Sequence, residues 1–185
     1  MRKIKSFNFI TLNGFFKGKD EDISWHLHGE EGSKFSEEQL KSQNVLLFGR
    51  RTYEMMYNFW TSQMAHDIYP AVASQMNSSE KIVITNTLEK SDWQNTKILR
   101  GNLVEQLEIF ASTPGNDITI LGSGSIVAQL TDAKLIDTYQ FLIDPLAIGN
   151  GVGLFNQIKE KLNLHLVDCK IFKLSGQVLL TYDRH

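Results

Sequence analysis

Cysteine is nearly absent from this chain, and Cys169 is the only one among 185 residues. A single cysteine cannot form a disulfide within the chain, which excludes the small secreted domains that disulfides hold together. No cluster of cysteines and histidines surrounds it, so a structural metal site is not expected. We expect Cys169 to be a small buried hydrophobic residue in a reducing compartment.

Long apolar runs and an excess of charge of either sign are also lacking. Nowhere do 18 apolar residues follow one another, and the N-terminus has no apolar core of the kind found in signal peptides. The chain has 19 Lys and Arg residues against 21 Asp and Glu, a net charge of -2, so no basic field favours nucleic acid. We expect one cytoplasmic domain over residues 1–185, with no membrane or nucleic-acid partner.

Short apolar runs alternate with longer segments of helical periodicity along the chain. This alternation predicts an α/β fold with helices on the faces of a sheet. Because Ser175 and Gly176 join the last two strands as a tight hairpin, the sheet is expected to be mixed. The predicted strands are residues 4–12, 45–48, 81–85, 98–99, 117–121, 137–143, 164–174 and 177–182, and the predicted helices are residues 36–42, 52–59, 71–76, 103–111 and 126–133.

The most informative stretch is VLLFGRRTYE at residues 45–54, in which an apolar strand is followed by a glycine turn, two arginines and a threonine that opens a helix. A helix N-terminus presents unpaired N–H groups and the positive end of the helix dipole. Gly49 permits close backbone approach, and Arg50 or Arg51 can add charge-assisted hydrogen bonds to an anion. The stretch predicts a phosphate-binding turn, although an ordinary strand-to-helix junction with solvated arginines fits the same residues.

A second segment, ITILGSGS at residues 118–125, also leads an apolar strand into small residues at the start of a helix. Its glycines allow close packing against a ligand, and its serines supply donors for a pyrophosphate; the alternative is a tight turn without a ligand. A third strand ends at Thr85 and Asn86. We expect all three strand ends to meet at the carboxyl edge of one sheet, where such sheets bind ligands. The small residues of the second segment are Gly122, Ser123, Gly124 and Ser125.

A third segment, DISWHLHGEE at residues 22–31, combines an aromatic residue, two histidines and carboxylates. The apolar Trp25 suggests that this loop folds inward and carries Glu30 into a less polar site, where burial would raise the pKa of the carboxyl and make it a proton source. The alternative is a solvated helix start. A metal site at His26 and His28 lacks a third ligand and is not expected.

In this order, the segments resemble the dihydrofolate reductase superfamily, and most closely the branch of the RibD C-terminal reductase domain of the riboflavin biosynthesis protein. TLNG at residues 11–14 resembles the Ser-Leu-Asp-Gly type sequence of that branch, and LLFGRRTYE resembles the superfamily's Gly-Arg-x-Thr-[Trp/Tyr]-Glu segment. ILGSGS lies where a Gly-Gly-x motif is usual, followed by LIDTY at residues 135–139. DPLAIGNGVGLF at residues 144–155 resembles the branch's Pro, Gly-x-Gly, Leu-Phe signature.

The resemblance implies a three-layer α/β/α fold on a mixed, mainly parallel sheet, with NADPH bound across the strand ends. It also implies a homodimer. Arg50 or Arg51 would favour the 2'-phosphate of the cofactor. The implied cofactor contacts are Thr11, Gly49, Arg50, Arg51, Thr52, Thr85, Asn86, Gly122, Ser123, Gly124 and Ser125.

SWHLHGE at residues 24–30 further resembles the dihydrofolate reductase stretch Pro-Trp-x-Leu-Pro-x-[Asp/Glu], which places Glu30 at the family's catalytic acid. Two prolines of that stretch are replaced here, and Lys34 replaces the aromatic residue that usually follows the acid by one helical turn. Trp25, Lys34 and Trp60 are candidate substrate contacts, although Lys34 fits solvent better and Trp60 fits a core or subunit interface as well.

These features predict a reductase that transfers a hydride from NADPH to a small heterocyclic or carbonyl compound, with Glu30 or water as proton donor. Candidate substrates are a phosphoribosylamino-pyrimidine of the riboflavin type and a dihydrofolate-like pterin. The alternative is a nucleotide-binding module of the same fold without catalysis.

Overall fold

The computed structural model describes residues 1–185 as an eight-stranded sheet and a separate two-stranded sheet. The strands are β1 (Ile4–Thr11), β2 (Phe15–Gly18), β3 (Val45–Gly49), β4 (Lys81–Ile84), β5 (Thr96–Leu99), β6 (Ile118–Leu121), β7 (Thr138–Asp144), β8 (Gly151–Gly153), β9 (Leu164–Ile171) and β10 (Val178–Arg184). The helices are α1 (Glu30–Leu40), α2 (Arg50–Trp60), α3 (Gln63–Ile68), α4 (Pro70–Ser78), α5 (Leu103–Ser112) and α6 (Gly124–Asp132). None of these helices is long and apolar enough to cross a membrane.

The large sheet has the strand order β5-β4-β3-β6-β1-β7-β10-β9. Its first six strands are parallel to one another, and β10 pairs antiparallel with both β7 and β9. Parallel neighbours need crossover connections, and helices lie in all of these here except the connection from β4 to β5, which is a loop. The prediction of a mixed, mainly parallel sheet that ends in an antiparallel hairpin is confirmed.

Helices cover both faces of the sheet, because the central strands carry apolar residues on both faces. Along β3, Leu46 and Phe48 pack with side chains of α2 and α4, whereas Val45 and Leu47 belong to the larger core beneath α5 and α6. Phe35 of α1 lies on the same face as α4 and packs in a third cluster. A strand buried on both faces reads as a continuous apolar run, which is how VLLF reads.

Helix α1 begins six residues earlier than predicted, at Glu30 rather than Ser36. The predicted start at Ser36 is therefore wrong, and the extended Gly29 precedes the first helical residue instead. Glu30 and Glu31 occupy the first turn, where carboxylates complement the helix dipole. Glu37 and Glu38 would complement the dipole of a helix that begins at Ser36 equally well. This rule therefore does not distinguish the two starts.

Strand β9 is an edge strand that is exposed on both faces along nearly its whole length. Cys169 is accordingly exposed, and the expectation that it is buried is wrong. The sequence around Cys169 does not show that no helix covers this end of the sheet. Leu166 and Val167 are about half exposed, at 48% and 49%. The homodimer implied by the resemblance stays a prediction.

Lys81, the first residue of β4, is completely buried. Its Nζ donates hydrogen bonds to three carbonyl oxygens at the end of α4, those of Met76 at 2.9 Å, Asn77 at 3.0 Å and Ser79 at 2.6 Å. The ammonium also lies 4.7 Å from the ring centre of Trp93. A cation at a helix C-terminus satisfies carbonyls that have no partner within the helix, and Lys81 thereby holds α4 against β4.

Burial lowers the pKa of Lys81 to about 8. Between that value and the ordinary lysine pKa of about 10.5, the unfolded chain binds more protons than the folded chain, so stability increases with pH. We expect the Lys81 contribution to the free energy of unfolding to rise by about 2 kcal/mol from pH 7 to 9.5. Urea unfolding of the wild type and of Lys81→Met at both pH values measures it. The free energy of unfolding of Lys81→Met should not show this rise with pH. That of Lys97→Met, on the neighbouring strand, should still show it.

Candidate active site

One cavity of about 840 Å³ begins at the carboxyl ends of the parallel strands and continues over one face of the sheet beneath α1. This volume lies within the range of small-molecule sites. The cavity has two parts. The glycine arm is lined by Gly49–Thr52, Thr85, Asn86 and Gly122–Ser125, and the aromatic slot is lined by Phe7, Phe9, Phe35, Met56, Trp60 and Leu121.

The glycine arm forms where the β3–α2 and β6–α6 turns touch. A Cβ atom built on Gly49 would lie 2.5 Å from the Ser123 hydroxyl oxygen, so only glycine allows this approach. Gly122 has a φ of +65° and lies against the Thr52 side chain. Ser123 is also left-handed, with a φ of 65°, a conformation that costs a non-glycine residue about 1–2 kcal/mol. The two predicted turns are thus neighbours in space.

Both helices begin without a side-chain cap and without an acidic residue in the first turn. Their first N–H groups have no partner within the helix. The first turn of α2 instead carries Arg50 and Arg51, whose positive charges are unfavourable beside the positive end of the helix dipole. An anion in the glycine arm would satisfy the N–H groups and relieve this repulsion. The arm therefore has the electrostatic properties of a phosphate-binding site.

Each arginine has a carboxylate partner. Arg50 pairs with Glu54 one helical turn further on, at 3.2 Å. Arg51 pairs with Glu21 across the mouth of the arm at 2.7 Å, and Glu21 also pairs with Lys17 at 2.7 Å. Hydrogen bonds from Lys17 and Arg51 hold the pKa of Glu21 below its usual value. An incoming phosphate must therefore compete with Glu21 for Arg51.

The third strand end belongs to β4, and its two predicted residues line the arm. Thr85 is buried, and its Oγ1 accepts hydrogen bonds from the N–H groups of Thr87 and Leu88, each at 3.1 Å. Asn86 is exposed, and its Oδ1 accepts from the N–H of Gly101 at 2.9 Å. These bonds shape the loop after β4 into one wall of the arm.

Aromatic and thioether side chains form the slot. Phe7 and Phe35 have ring centres 5.6 Å apart, and Phe7 and Phe9 pack edge to face at 5.3 Å. Trp60 and Met56 also line the slot, and the Trp60 indole nitrogen lies 3.2 Å from the sulfur of Met56. Such walls suit a planar ring, because aromatic faces and methionine sulfur pack well against π systems.

Residues 2–180 match the sequence model of the RibD C-terminal domain family. The chain belongs to the RibD C-terminal domain family. The uncharacterized protein YyaP of Bacillus subtilis is 25% identical over 173 residues, which cover 94% of this chain and 90% of YyaP. The family predicted from the ordered motifs is confirmed.

Solved structures show the fold of this RibD C-terminal family member at low sequence identity. Dihydrofolate reductase from Enterococcus faecalis, complexed with NADP(H), is 18% identical with a TM-score of 0.69, covering 99% of this chain and 96% of that one. A Thermotoga maritima diaminohydroxyphosphoribosylaminopyrimidine deaminase/5-amino-6-(5-phosphoribosylamino)uracil reductase is 11% identical with a TM-score of 0.71. The whole of this chain aligns with 57% of the length of the Thermotoga protein. The three-layer dihydrofolate reductase-like fold is thereby confirmed.

Glu30 lies outside the cavity of this RibD-like chain. Its side chain is 68% exposed and pairs with Lys34 at 2.6 Å, and the hydrogen bond and charge of Lys34 lower its pKa. The expected burial and raised pKa are therefore wrong. The reason is helical phase: Glu30 precedes the inward-facing Phe35 by five residues, about 140° around a helix of 3.6 residues per turn.

Three further predicted residues do not line the cavity either. The Thr11 hydroxyl is used within its own turn, where it donates to Asn13 Oδ1 at 2.8 Å and accepts from the N–H of Phe15. Trp25 is half-buried and donates from its indole to the carbonyl of Asp22 at 3.1 Å. Lys34 is solvent-exposed. Trp60 and the ten predicted cofactor residues other than Thr11 do line the cavity.

A buried hydrogen-bonded pair of His26 and Asp144 lies beside the slot and was not predicted from the sequence. Asp144 is fully buried at the end of β7, and its two carboxylate oxygens bind His26 Nδ1 at 2.8 Å and the N–H of Leu27 at 2.8 Å. Gln177 adds a third hydrogen bond at 2.9 Å. The imidazole of His26 stacks on Phe9, with ring centres 3.5 Å apart. Asp144 therefore anchors the loop that precedes α1 and fixes the Phe9 wall of the slot.

Gly49→Ala tests the contact between the two turns. The added methyl would overlap Ser123, so we expect a loss of about 1–3 kcal/mol in the free energy of unfolding, as for overpacked cores. Ser123→Gly removes the overlapping atoms at a left-handed position and should restore most of the loss in the double variant. Urea denaturation of the two single variants and the double variant measures the coupling.

Gly32→Ala is the matched control for this cycle, because Gly32 lies inside α1 and a Cβ there would meet nothing within 4 Å. It should stabilise the protein by about 0.5–1 kcal/mol. A double variant no more stable than Gly49→Ala would show that the Ser123 contact does not limit the approach of the turns.

Proposed function

We propose that this protein is an NADPH-dependent reductase that transfers a hydride to a C=N or C=O carbon of a small planar heterocycle, a riboflavin-type pyrimidine or a pterin. One observation carries the proposal: two uncapped helix N-termini and two arginines face an arm that continues directly into an aromatic slot. A dinucleotide needs a phosphate site joined to a site for a flat ring, and this cavity offers both.

The residues present fit NADPH. Free N–H groups and the hydroxyls of Thr52, Ser123 and Ser125 suit a pyrophosphate, and Arg50 or Arg51 suits a 2'-phosphate. Thr85 and Asn86 would border the adenosine end. When bound, the cofactor supplies the hydride. Support also comes from the relatives, since the Enterococcus enzyme was solved with NADP(H) and the Thermotoga protein is named as a uracil-derivative reductase.

The proton required by such a reduction would come from water. Glu21 is the only carboxylate that lines the cavity, no histidine lines it, and Glu21 is held by Lys17 and Arg51 at the mouth of the glycine arm. A water molecule entering the slot can protonate the heteroatom that gains negative charge during hydride delivery. The chain's own contribution is then to hold the ring flat between Phe7, Phe35 and Trp60.

The absence of an acid in the slot also favours a second candidate, a nucleotide-binding module without catalysis. The two candidates share NADPH binding and differ in turnover. Steady oxidation of NADPH at 340 nm with any pterin, ribosylaminopyrimidine or simple carbonyl would reject the module. Tight binding without turnover across the three classes would favour it.

The arginines should make the protein prefer NADPH to NADH. A charge-assisted hydrogen bond contributes about 1.5–3 kcal/mol, or roughly ten- to hundredfold in affinity. We expect Arg50→Met or Arg51→Met to weaken NADPH binding by this factor while leaving NADH binding within about threefold. Titration of tryptophan fluorescence with both nucleotides measures it, and the variant with the larger loss identifies the 2'-phosphate contact.

Lys41→Met is the control for this comparison, since Lys41 pairs with Glu37 on the surface of the molecule away from the glycine arm. It should leave both affinities unchanged. Equal binding of NADPH and NADH to the wild type would contradict a 2'-phosphate role for either arginine.

Glu30→Gln tests whether the acid position of dihydrofolate reductase is used here. Because Glu30 is exposed and paired with Lys34, we expect kcat for NADPH oxidation to change less than twofold, whereas loss of a general acid costs about a hundredfold or more. The rate should be measured at saturating substrate. A hundredfold loss would place the carboxyl at the reacting atom after a movement of α1.

A further inference from the structure

Strands β1 and β6 separate where the glycine arm meets the aromatic slot. Their last pair in register is Phe7 with Leu121, where β6 ends. Strand β1 continues to Thr11 and pairs over these last residues only with β7. Leu121 is followed directly by Gly122 of the glycine arm, and Phe7 belongs to the slot. We call the part of the cavity between residues 7–9 and residues 121–122 the junction.

The junction is where a bound dinucleotide and a substrate ring would meet. Hydride transfer requires the two reacting carbons to lie in contact, at about 3–3.5 Å. With the diphosphate in the glycine arm and the substrate ring in the slot, this contact is possible only if the redox-active ring of the dinucleotide lies in the junction. The side chains of the junction are therefore those that can orient this ring.

Asn8 is the first residue of β1 beyond the last pair with β6. It lines the cavity and is only 3% exposed, so protein covers almost its whole surface. Its partner in register on β7 is Phe141, a member of the larger apolar core. By the alternation of β1, Asn8 also shares its face with Ile4 and Ile10. Asn8 thus places an amide among apolar side chains at the wall of the cavity.

The side-chain oxygen of Asn8 has no partner within the protein. Five buried side-chain atoms lack a hydrogen bond, and Asn8 Oδ1 is the only one of them whose residue lines the cavity. Asparagine is depleted in strands, and a buried amide oxygen without a donor costs free energy that leucine or isoleucine would not. Asparagine at this position is therefore unfavourable for folding alone, as is typical of residues that serve a ligand.

The chemistry of the amide indicates which group it binds. An amide oxygen needs a donor, whereas the oxygens of a diphosphate are acceptors. The carboxamide of nicotinamide is the hydrogen-bonding substituent of the redox-active ring, and its NH2 group is a donor. Rotation about χ2 exchanges Oδ1 and Nδ2 of Asn8, so the amide can present its acceptor to the cavity. Phe7 and Phe9, the other β1 side chains of the junction, have no polar atoms.

We propose that the side-chain amide of Asn8 orients the cofactor by accepting a hydrogen bond from the NH2 group of the nicotinamide carboxamide. This inference rests on the proposed function and deepens it, because it names the residue that selects which face of the nicotinamide ring is turned toward the slot. Turning the ring over about its bond to the ribose would move the carboxamide away from Asn8. Asn8 is a specificity-determining residue and exchanges no proton with the substrate.

The test compares three oxidised nucleotides by isothermal titration calorimetry. NADP⁺ carries the complete carboxamide, the 3-acetylpyridine analogue of NADP⁺ has a methyl group in place of the NH2 group, and 2'-phospho-ADP-ribose lacks the nicotinamide ring. We expect the wild type to bind NADP⁺ about tenfold more tightly than the acetylpyridine analogue, because the analogue leaves Asn8 Oδ1 without a donor.

Asn8→Leu should reduce this difference to within about twofold, because leucine has the same branched shape and no acceptor. Asn8→Ala should do the same without crowding the cavity. In both variants the affinity for 2'-phospho-ADP-ribose should stay within about threefold of the wild-type value, which also verifies folding. Ser6→Ala is the matched control, because it removes an unpaired oxygen from the same face of β1 at a residue that does not line the cavity. It should keep the tenfold difference.

The proposal is overturned if the wild type binds the acetylpyridine analogue as tightly as NADP⁺, or if both Asn8 variants keep the difference. Equal losses of affinity for all three nucleotides in the Asn8 variants would place the amide at the ribose or the diphosphate and would also overturn it. In each of these cases NADP⁺ still binds the wild type, so the proposed function stands. If none of the three nucleotides binds the wild type, the proposed function fails and this inference fails with it.

Discussion

The site depends on the contact between Gly49 and Ser123, which places the N-termini of α2 and α6 side by side. Parallel pairing of β3 with β6 brings the two turns to the same level of the sheet, and the missing side chain of Gly49 lets them touch. Two positive helix ends repel each other in the absence of an anion. The fold holds them together because the strands beneath are fully buried, with Val45, Leu47 and Phe48 at 0% exposure.

The charges around this contact show how the basic residues of the glycine arm are balanced within the protein. Glu21 pairs with both Lys17 and Arg51 and thus neutralises part of the positive charge that a phosphate would neutralise. It belongs to a short turn in which Asp20 and Glu21 have left-handed φ values of 56° and 64°. That conformation is unfavourable for both residues, and the ion pairs of Glu21 with Lys17 and Arg51 stabilise it.

Sequence reasoning was accurate where one residue type has one physical use. Gly49 and Gly122 each follow an apolar strand and precede a helix, and glycine at these positions allows the two turns to approach closely. It failed for Glu30, because a carboxylate at a helix start is equally suited to solvent, and because the phase of α1 depends on where that helix begins. Once α1 begins at Glu30, Phe35 and Gln39 face the slot and Lys34 faces outward.

The position of Lys5 is informative in the sequence and more informative in the structure. A lysine that alternates with Phe7 and Phe9 in a central strand must be buried, paired or in contact with a cavity, since the strand offers it no solvent. Sequence alone could not choose among the three, because the choice depends on α1, which is distant in the chain. In the fold, α1 provides Gln39 as the one acceptor for Lys5 Nζ, and Lys5 lines the cavity. A cation at one end and uncapped helix N-termini at the other make both ends of the cavity suitable for anions, with apolar walls between them.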